Sequence, residues 1–350
     1  MCESCQTKVF QAVDKNYSSF ERGFIERRAL KPDDVAIDIK YCGICHSDIH
    51  QVDNDFGRGV YPMVPGHEIT GIVSAVGDQV TNFKVGDRVG VGCFVDSCGE
   101  CNYCLQGEEQ FCTKGVVVVF NSTNYDGSKT YGGYSQNIVV KDKFVIQIPD
   151  TLDLAEASPL LCAGITTFSP MKHWNVGPGK KVAIIGMGGL GHIAVQFAHA
   201  LGADVAVLGH SETKKNEAQQ FGADHYYLTS DPETFEKLAG QFDFILNTVA
   251  VSLDVDAYIS LLKVNGAMVY VGLATEAQSF HVGKLFGKQA IITASNVGGI
   301  PMTQEMIQFA AENNILPKIE LITADQIPEA YERVLNSDVK YRFVIDMETL

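Results

Sequence analysis

The sequence predicts an α/β protein in two parts: an irregular β-barrel and a doubly wound parallel sheet. Three observations carry this. Residues 35–91 hold short alternating segments separated by Gly-Asp turns, as in VAIDIKY, ITGIVSAVG and GDRVGV. Residues 181–294 alternate apolar strand-like runs with helical ones, which is the signature of parallel βα units. The chain has 350 residues, 46% of them hydrophobic, enough for two cores. The change of pattern near Pro149 sets the expected division. Residues 151–294 form the sheet domain, and 1–150 with 295–350 form the other.

Composition narrows the partners. A formal net charge of −15 repels phosphate backbones, which argues against nucleic acid and anionic membranes. No apolar run reaches spanning length, the longest candidates being near Val116–Phe120 and Ala290–Ile292. The opening MCESCQTKVFQAVDK is too polar for a signal peptide, so a cytoplasmic protein is expected. Of the ten cysteines, most are clustered; in a reducing compartment that points to metal rather than disulfides. Cys2 and Cys5 form an isolated C-x-x-C read as a frayed terminus.

Taken in order, residues 8–31 alternate loosely up to the turn Pro32-Asp33-Asp34. Val35–Tyr41 alternates apolar and polar residues and predicts a half-buried strand. It delivers YCGICHSDIH, which packs Cys45, His46, Ser47, Asp48 and His50 together. So dense a set of thiol, imidazole and hydroxyl suits metal binding or proton transfer, although a plain polar turn would look the same. The Pro-bracketed YPMVPGHE adds His67 and Glu68. Next, DSCGECNYCLQGEEQFC spaces Cys98, Cys101, Cys104 and Cys112 as C-x2-C-x2-C-x7-C. Four thiolates on one loop match a closed, structural tetrahedral zinc site that would fold a loop with no core of its own. An iron–sulfur cluster is the rival.

Beyond residue 150, Lys181–Ile185 is an apolar strand, followed at once by Gly186, Gly188, Gly189, Leu190 and Gly191, and then by a helix over His192–Leu201. Strand before and helix after make G-x-G-x-x-G a dinucleotide fingerprint, with the pyrophosphate at the helix N-terminus. The alternation continues with a strand at Asp204–Leu208, a helix at Glu212–Phe221, a strand at Phe242–Leu246, a helix at Leu253–Leu262, and strands at Ala267–Val271 and Ala290–Ala294. Where an acidic residue would hold a ribose 2′-hydroxyl, this chain has Gly209, His210 and Ser211, with Lys214 and Lys215 beyond. That set suits a 2′-phosphate, hence NADP(H); the alternative is that Glu212 serves NAD and the lysines are a solvated face. Two helices, Thr303–Glu312 and Ala324–Leu335, and a strand at Tyr341–Asp346 complete the chain.

With CGICHSDIH, YPMVPGHEITG, the four-cysteine loop, YGGYSQ, PLLCAGITT, GMGGLG and VKYRFVID in hand, the chain resembles the zinc-dependent medium-chain alcohol dehydrogenases. It is nearest their cinnamyl alcohol dehydrogenase branch of NADP-dependent alcohol dehydrogenases and aldehyde reductases. The resemblance implies a GroES-like catalytic barrel and a Rossmann sheet domain. It implies two zincs per chain, one structural and one catalytic, the latter held by Cys45, His67 and Cys162. Glu68 would be an exchange ligand, Asp48 a hydrogen-bond partner that steadies His67, and Ser47, His50 and Asp55 a proton relay. His46 would meet the cofactor pyrophosphate and Thr166 the nicotinamide. Val271, Ser295 and Val297 would offer backbone contacts to its carboxamide. A homodimer through the sheet domain is likewise implied. Cys42 and Cys93 match no ligand position and are read as small core residues.

One departure bears on substrate. Plant lignin-pathway members carry a Trp shortly after the fourth loop cysteine, where this chain has Gly115-Val116-Val117-Val118-Val119-Phe120; its one Trp is Trp174. Without that stacking surface, the expectation is a broad reductase of aliphatic and aromatic aldehydes rather than a lignin-precursor enzyme. An NAD-linked polyol or primary alcohol dehydrogenase is the competing enzyme reading. A catalytically silent zinc-binding nucleotide sensor is the non-enzyme one.

Overall fold

The computed structural model describes residues 5–274 and 276–350; Cys2 lies outside the described residues. The chain divides into two compact units, Met1–Cys162 with Gly298–Leu350, and Ala163–Val297. The first crossing is thus later than residue 150. Residues after Pro149 stay with the first unit because they are tied to its sheet: the Thr70 hydroxyl donates to the Leu154 carbonyl at 2.7 Å, and Leu154, Leu160 and Leu161 are buried.

In the first unit, β1 (Cys5–Ala12) and β2 (Phe20–Arg27) form an antiparallel pair. The organising strand is β3 (Asp34–Gly43). It runs into α1 (His46–Val52). Then come β4 (Ile69–Val76), β5 (Arg88–Val91) and β6 (Phe94–Asp96). The four-cysteine loop contains one short helix, α2 (Asn102–Leu105). β7 (Val117–Val118), β8 (Asn137–Lys141), β9 (Ile146–Gln147) and α3 (Leu154–Ala157) follow. The valine run therefore gives only a two-residue strand, pinned to β6.

The second unit starts with α4 (Ala163–His173), β10 (Lys181–Ile185), α5 (Gly191–Ala200) and β11 (Asp204–Gly209). It continues through α6 (Lys215–Gln220), β12 (His225–Leu228), α7 (Pro232–Lys237) and β13 (Phe242–Asn247). It ends with α8 (Val255–Leu261), β14 (Leu262–Tyr270), α9 (Gly283–Phe286) and β15 (Ile291–Ala294). Its strands are all parallel in the order β12-β11-β10-β13-β14-β15, so the winding reverses between β10 and β13. That is the doubly wound arrangement. The central strands β10, β11 and β13 are buried on both faces, which is why they read as apolar runs without alternation.

The chain then returns to the first unit as α10 (Ile300–Glu312), β16 (Ile319–Thr323), α11 (Ile327–Leu335) and β17 (Arg342–Asp346). The larger sheet there has the order β16-β17-β3-β4-β5-β9, with β8 also on β3. Its core includes Val35, Ile37, Ile69, Val73, Val89, Phe343 and Ile345. Each such side chain contributes about 1.5–3 kcal/mol on burial. The register of β3 on β4 slips between Ile39 and Tyr41; such irregularities re-aim a strand end, here the end that carries Cys45.

Candidate functional site

Three separate segments of the first unit converge. Cys45 stands at the head of α1. His67 and Glu68 immediately precede β4. Cys162 follows the 3-10 turn Ser158–Leu161. Donor atoms of Cys45, His67, Glu68 and Cys162 all lie within 4.8 Å of one another. The Cys45 and Cys162 sulfurs are 3.9 Å apart, and His67 Nε2 is 3.3 Å from Cys162 Sγ. Two thiols, an imidazole and a carboxyl so placed fit a mixed N/S/O zinc site.

Asp48 builds much of this geometry. Its Oδ1 accepts from His67 Nδ1 at 2.9 Å and from the Gly66 amide at 3.1 Å, and its Oδ2 accepts from the Cys45 amide at 2.9 Å. The carboxylate thus ties both ligand segments together and aims the Nε2 lone pair of His67 at the thiols. Gly66 has φ +103°, and a Cβ there would overlap the Tyr134 ring and Cys42 Sγ; the close approach requires glycine. The Phe120 ring stacks on His67 at 6.0 Å between centroids.

Glu68 is fully buried, and Arg342 of β17 donates to its Oε1. Its Oε2 has no hydrogen-bond partner among the described residues. A buried acceptor without a partner, on a residue that brings a carboxylate oxygen within 4.8 Å of two thiols and an imidazole, fits a cation site. Burial pushes the Glu68 carboxyl up to about 7, against the pull of Arg342. Burial disfavours the His67 cation, but Asp48 outweighs it and raises the imidazole. Hydrogen bonding from Cys162 draws the Cys45 thiol down against burial. The same pairing, with burial, pushes Cys162 up.

Ser47 and His50 share a face of α1. The Ser47 hydroxyl is 3.8 Å from Cys45 Sγ, and His50 Nδ1 is 2.6 Å from Asp55 Oδ2. His46 lies beside His50, with ring centroids 5.1 Å apart, and burial followed by His50 lowers its pKa. Cys42 is fully buried, as a core residue should be. Cys93 is not a core residue: it is partly exposed, and its side chain adjoins Cys162. Its place is set by the turn between β5 and β6, which the sequence spacing does not reveal. Arg342 was missed as well, although a lone arginine inside the apolar run YRFVID is a signal for a buried ionic partner.

The four loop cysteines form the second cluster. Cys101 Sγ is 3.5 Å and Cys98 Sγ 3.9 Å from Cys104 Sγ. A tetrahedron with Zn–S of about 2.3 Å has edges near ~3.8 Å. Thiols this close fit the coordination of one ion better than a cluster, which would spread them over several irons. Amides of Cys98 and Cys101 donate to Cys112 Sγ and Cys98 Sγ, each at 3.4 Å.

In the second unit, Gly186, Gly188, Gly189 and Leu190 join β10 to α5, and Gly191 starts the helix. A Cβ on Gly191 would strike the Gly186 carbonyl oxygen, whereas one on Gly188 would meet open space. One glycine serves packing and the other leaves room for a ligand. Past β11, His210 and Ser211 are exposed, and Glu212–Lys214 form a 3-10 turn rather than the start of one long helix. That turn separates the two lysines: Lys214 Nζ donates to the Met187 carbonyl at 2.9 Å, while Lys215 is exposed. Thr166 is buried in α4. Val271 and Ser295 follow β14 and β15, their amides bonded to Asn247 and Tyr270. Val297 has φ +41°, a strained value for a β-branched residue. No helix among the described residues is long and apolar enough to cross a membrane.

Residues 31–150 match the Alcohol dehydrogenase GroES-like domain, and 189–312 match the Zinc-binding dehydrogenase family. The chain is 63% identical over 350 residues to a probable formaldehyde dehydrogenase, AdhA, of Bacillus subtilis (strain 168), covering 100% of both. It is 58% identical to NADP-dependent alcohol dehydrogenase C 1 of Mycolicibacterium smegmatis, covering 93% of this chain and 94% of the relative. It is 50% identical to the aldehyde reductase YahK of Escherichia coli (strain K12), with coverage of 93% and 94%. A solved structure of CAD from Helicobacter pylori complexed with NADP(H) superposes with a TM-score of 0.92 at 42% identity, covering 99% of each chain.

Proposed function

The chain belongs to the zinc-dependent medium-chain alcohol dehydrogenase family, and we propose that within it the protein is an NADP(H)-linked alcohol dehydrogenase working mainly as an aldehyde reductase. Cys45, His67 and Cys162 hold the catalytic zinc, with Glu68 as an exchange ligand. Cys98, Cys101, Cys104 and Cys112 hold the structural one. The observation that carries the reading is the convergence of those first four donors within 4.8 Å of one another, with Glu68 Oε2 left unpartnered. When bound, zinc supplies Lewis acidity toward the substrate oxygen and the nicotinamide supplies or accepts the hydride.

The protein's own groups do the rest. Asp48 fixes the His67 ring and tautomer. Arg342 restrains one Glu68 oxygen and leaves the other without a hydrogen-bond partner among the described residues. The Ser47 hydroxyl both donates and accepts, so it can pass a proton without holding a charge. His50 is held by Asp55, its side chain 16% exposed, and exchanges that proton with water. The 2′-phosphate is recognised by Gly209, His210, Ser211 and Lys214. NADP-dependence of the 58% identical relative supports the cofactor assignment. With Phe120 over His67 and valines before it, the site favours a wide range of aliphatic and aromatic aldehydes.

We place the enzyme in the cytoplasm, where its eight described free cysteines stay reduced. It pairs with a second copy through the edge strand β15, in which Ile291 is 44% exposed, with Phe286 of the preceding α9 80% exposed. The test is initial rates with NADPH and NADH over a panel of aldehydes, with metal analysis. Two zincs per chain and an NADPH preference are expected, and Cys45→Ala should lose one zinc and nearly all turnover. A clear NADH preference would sink the 2′-phosphate assignment in favour of an NAD-linked polyol or primary alcohol dehydrogenase. Retained turnover in Cys45→Ala would sink the catalytic one.

A further inference from the structure

The metal site has a third thiol that the reaction does not use. Cys93 lies in the turn between β5 and β6, and its carbonyl accepts from the Val119 amide at 3.0 Å. Next to it, a Cβ on Gly92 would come within 2.9 Å of the Leu161 carbonyl oxygen. The backbones at 92 and 161 therefore touch, and that contact carries residues 93 and 162 side by side. The two thiols are neighbours, each acting on the other's ionisation. Yet Cys93 stands outside the four donors that converge within 4.8 Å. It is partly exposed, whereas Cys42, the other nearby thiol, is fully buried and packed against Gly66 and Gly133.

We propose that Cys93 is a peroxide-sensitive thiol which, once oxidised, captures Cys162 as a disulfide and so dismantles the metal site. The argument turns on which sulfur is free. With metal bound, the lone pairs of Cys45 and Cys162 would be engaged, and Cys93, on a partly exposed residue, would be the remaining thiol with none committed. Its thiolate attacks one oxygen of hydrogen peroxide; the O–O bond breaks, hydroxide leaves, and Cys93 becomes a sulfenic acid. The Cys162 sulfur then attacks the Cys93 sulfur; the S–S bond forms, the S–O bond breaks, and a second hydroxide leaves. Cys162 enters this step as a zinc thiolate with no proton, so the Cys93 proton neutralises one hydroxide and the other leaves with the freed ion. In sum, one thiol, one zinc-bound thiolate and one peroxide give one disulfide, one water, one hydroxide and the released Zn2+, the sulfurs being oxidised and the peroxide reduced. A sulfur in a disulfide is no longer a thiolate ligand, so the ion is released, and a dithiol reductant restores the site.

This rests on Cys45, His67 and Cys162 holding the catalytic zinc, so metal content is measured first on the full-length protein as purified. One equivalent of hydrogen peroxide is then added, released zinc is followed with a metallochromic dye, and chymotryptic peptides are mapped without reduction. Cleavage after Phe94 separates Cys93 from the four-cysteine loop. The expected result is a Cys93–Cys162 linked peptide, with one zinc released per link and both changes reversed by dithiothreitol and added zinc. Cys93→Ser should release that zinc roughly tenfold more slowly, because the direct route needs a ligand sulfur to be oxidised while bound. A Cys45–Cys162 link, links confined to the four-cysteine loop, or equal release from Cys93→Ser would overturn the proposal. Peptide mapping of the unaltered chain decides it even where the variant fails to fold. Fewer than two zincs before peroxide would overturn the metal reading and this inference with it; two zincs and no Cys93 link overturn this inference alone.

Discussion

Asp48→Asn isolates what a single buried carboxylate does for the metal site. In the native chain its two oxygens accept three hydrogen bonds, from His67 Nδ1, Gly66 N and Cys45 N. Asparagine has nearly the same shape but only one acceptor oxygen. Turned one way, it keeps His67 and Gly66 and sets an NH2 against the Cys45 amide. Turned the other way, it keeps Cys45 and sets that NH2 against His67, inviting the imidazole to change tautomer and lose its lone pair toward Cys162. Either choice leaves a buried donor facing a donor, at a cost of about 1–3 kcal/mol. At about 1.4 kcal/mol per factor of ten, that is roughly 5- to 150-fold, in line with the ~10- to 100-fold losses typical of partners that orient metal ligands. The assay is zinc affinity by chelator competition, alongside kcat/KM for aldehyde reduction with NADPH. The catalytic zinc should weaken and kcat/KM fall together, while the four-cysteine zinc stays. If Asp48→Asn keeps both zincs at native affinity and kcat/KM within about twofold, Asp48 does not organise the site.

Two further expectations concern residues at a distance from this centre. Lys214→Ala should raise KM for NADPH by about 10-fold or more, the loss of one charge-assisted phosphate contact, and leave NADH rates nearly unchanged. Lys215→Ala, on the exposed side of the turn, should alter neither, and equal losses with both cofactors would mean that Lys214 merely props up the glycine loop through Met187. Glu109, 1% exposed, joins the four-cysteine loop to α10 by accepting the Ile300 amide at 3.0 Å. Glu109→Ala should therefore cost about 1–3 kcal/mol in denaturant unfolding. Lys143→Ala removes only the half-exposed partner at 3.4 Å and should cost under about 1 kcal/mol; similar losses in the two variants would show the ion pair, not the cap, to be what matters.

Much of the fold was legible where periodicity is strong. The apolar runs at 181–185, 204–208 and 242–246 became β10, β11 and β13 within a residue or two, since strands buried on both faces have no other way to be written. Legibility failed where elements are short or their pattern is broken. His225–Leu228 and Pro232–Lys237 went unread: His225 is exposed and its strand is an edge, so the alternation that marks a half-buried strand is absent. Helix α1 was hidden inside YCGICHSDIH because its start is set by Asp48 bonding back to the Cys45 amide, a tertiary and capping choice rather than a hydrophobic repeat.

The cysteines show the same divide in sharper form. The four loop thiols could be grouped from spacing, because a short loop that closes on one ion must bring its own ligands. Cys42, Cys45, Cys93 and Cys162 have no such spacing, and nothing local separates them. Their fates follow from strand direction: along β3 and beyond it, Cys42 turns into the core beneath Gly66, and Cys45, after the register slip, emerges at the site. Cys93 neighbours Cys162 where the backbones at Gly92 and Leu161 approach closely, a contact between segments far apart in the chain. Membership of the family could assign Cys45 and Cys162 by motif, but it was silent on Cys93, whose role depends on which face of one turn meets another. A thiol beside four converging donors yet outside their set is open to chemistry that those donors, once engaged, are not, and only the folded chain shows that this sequence has one.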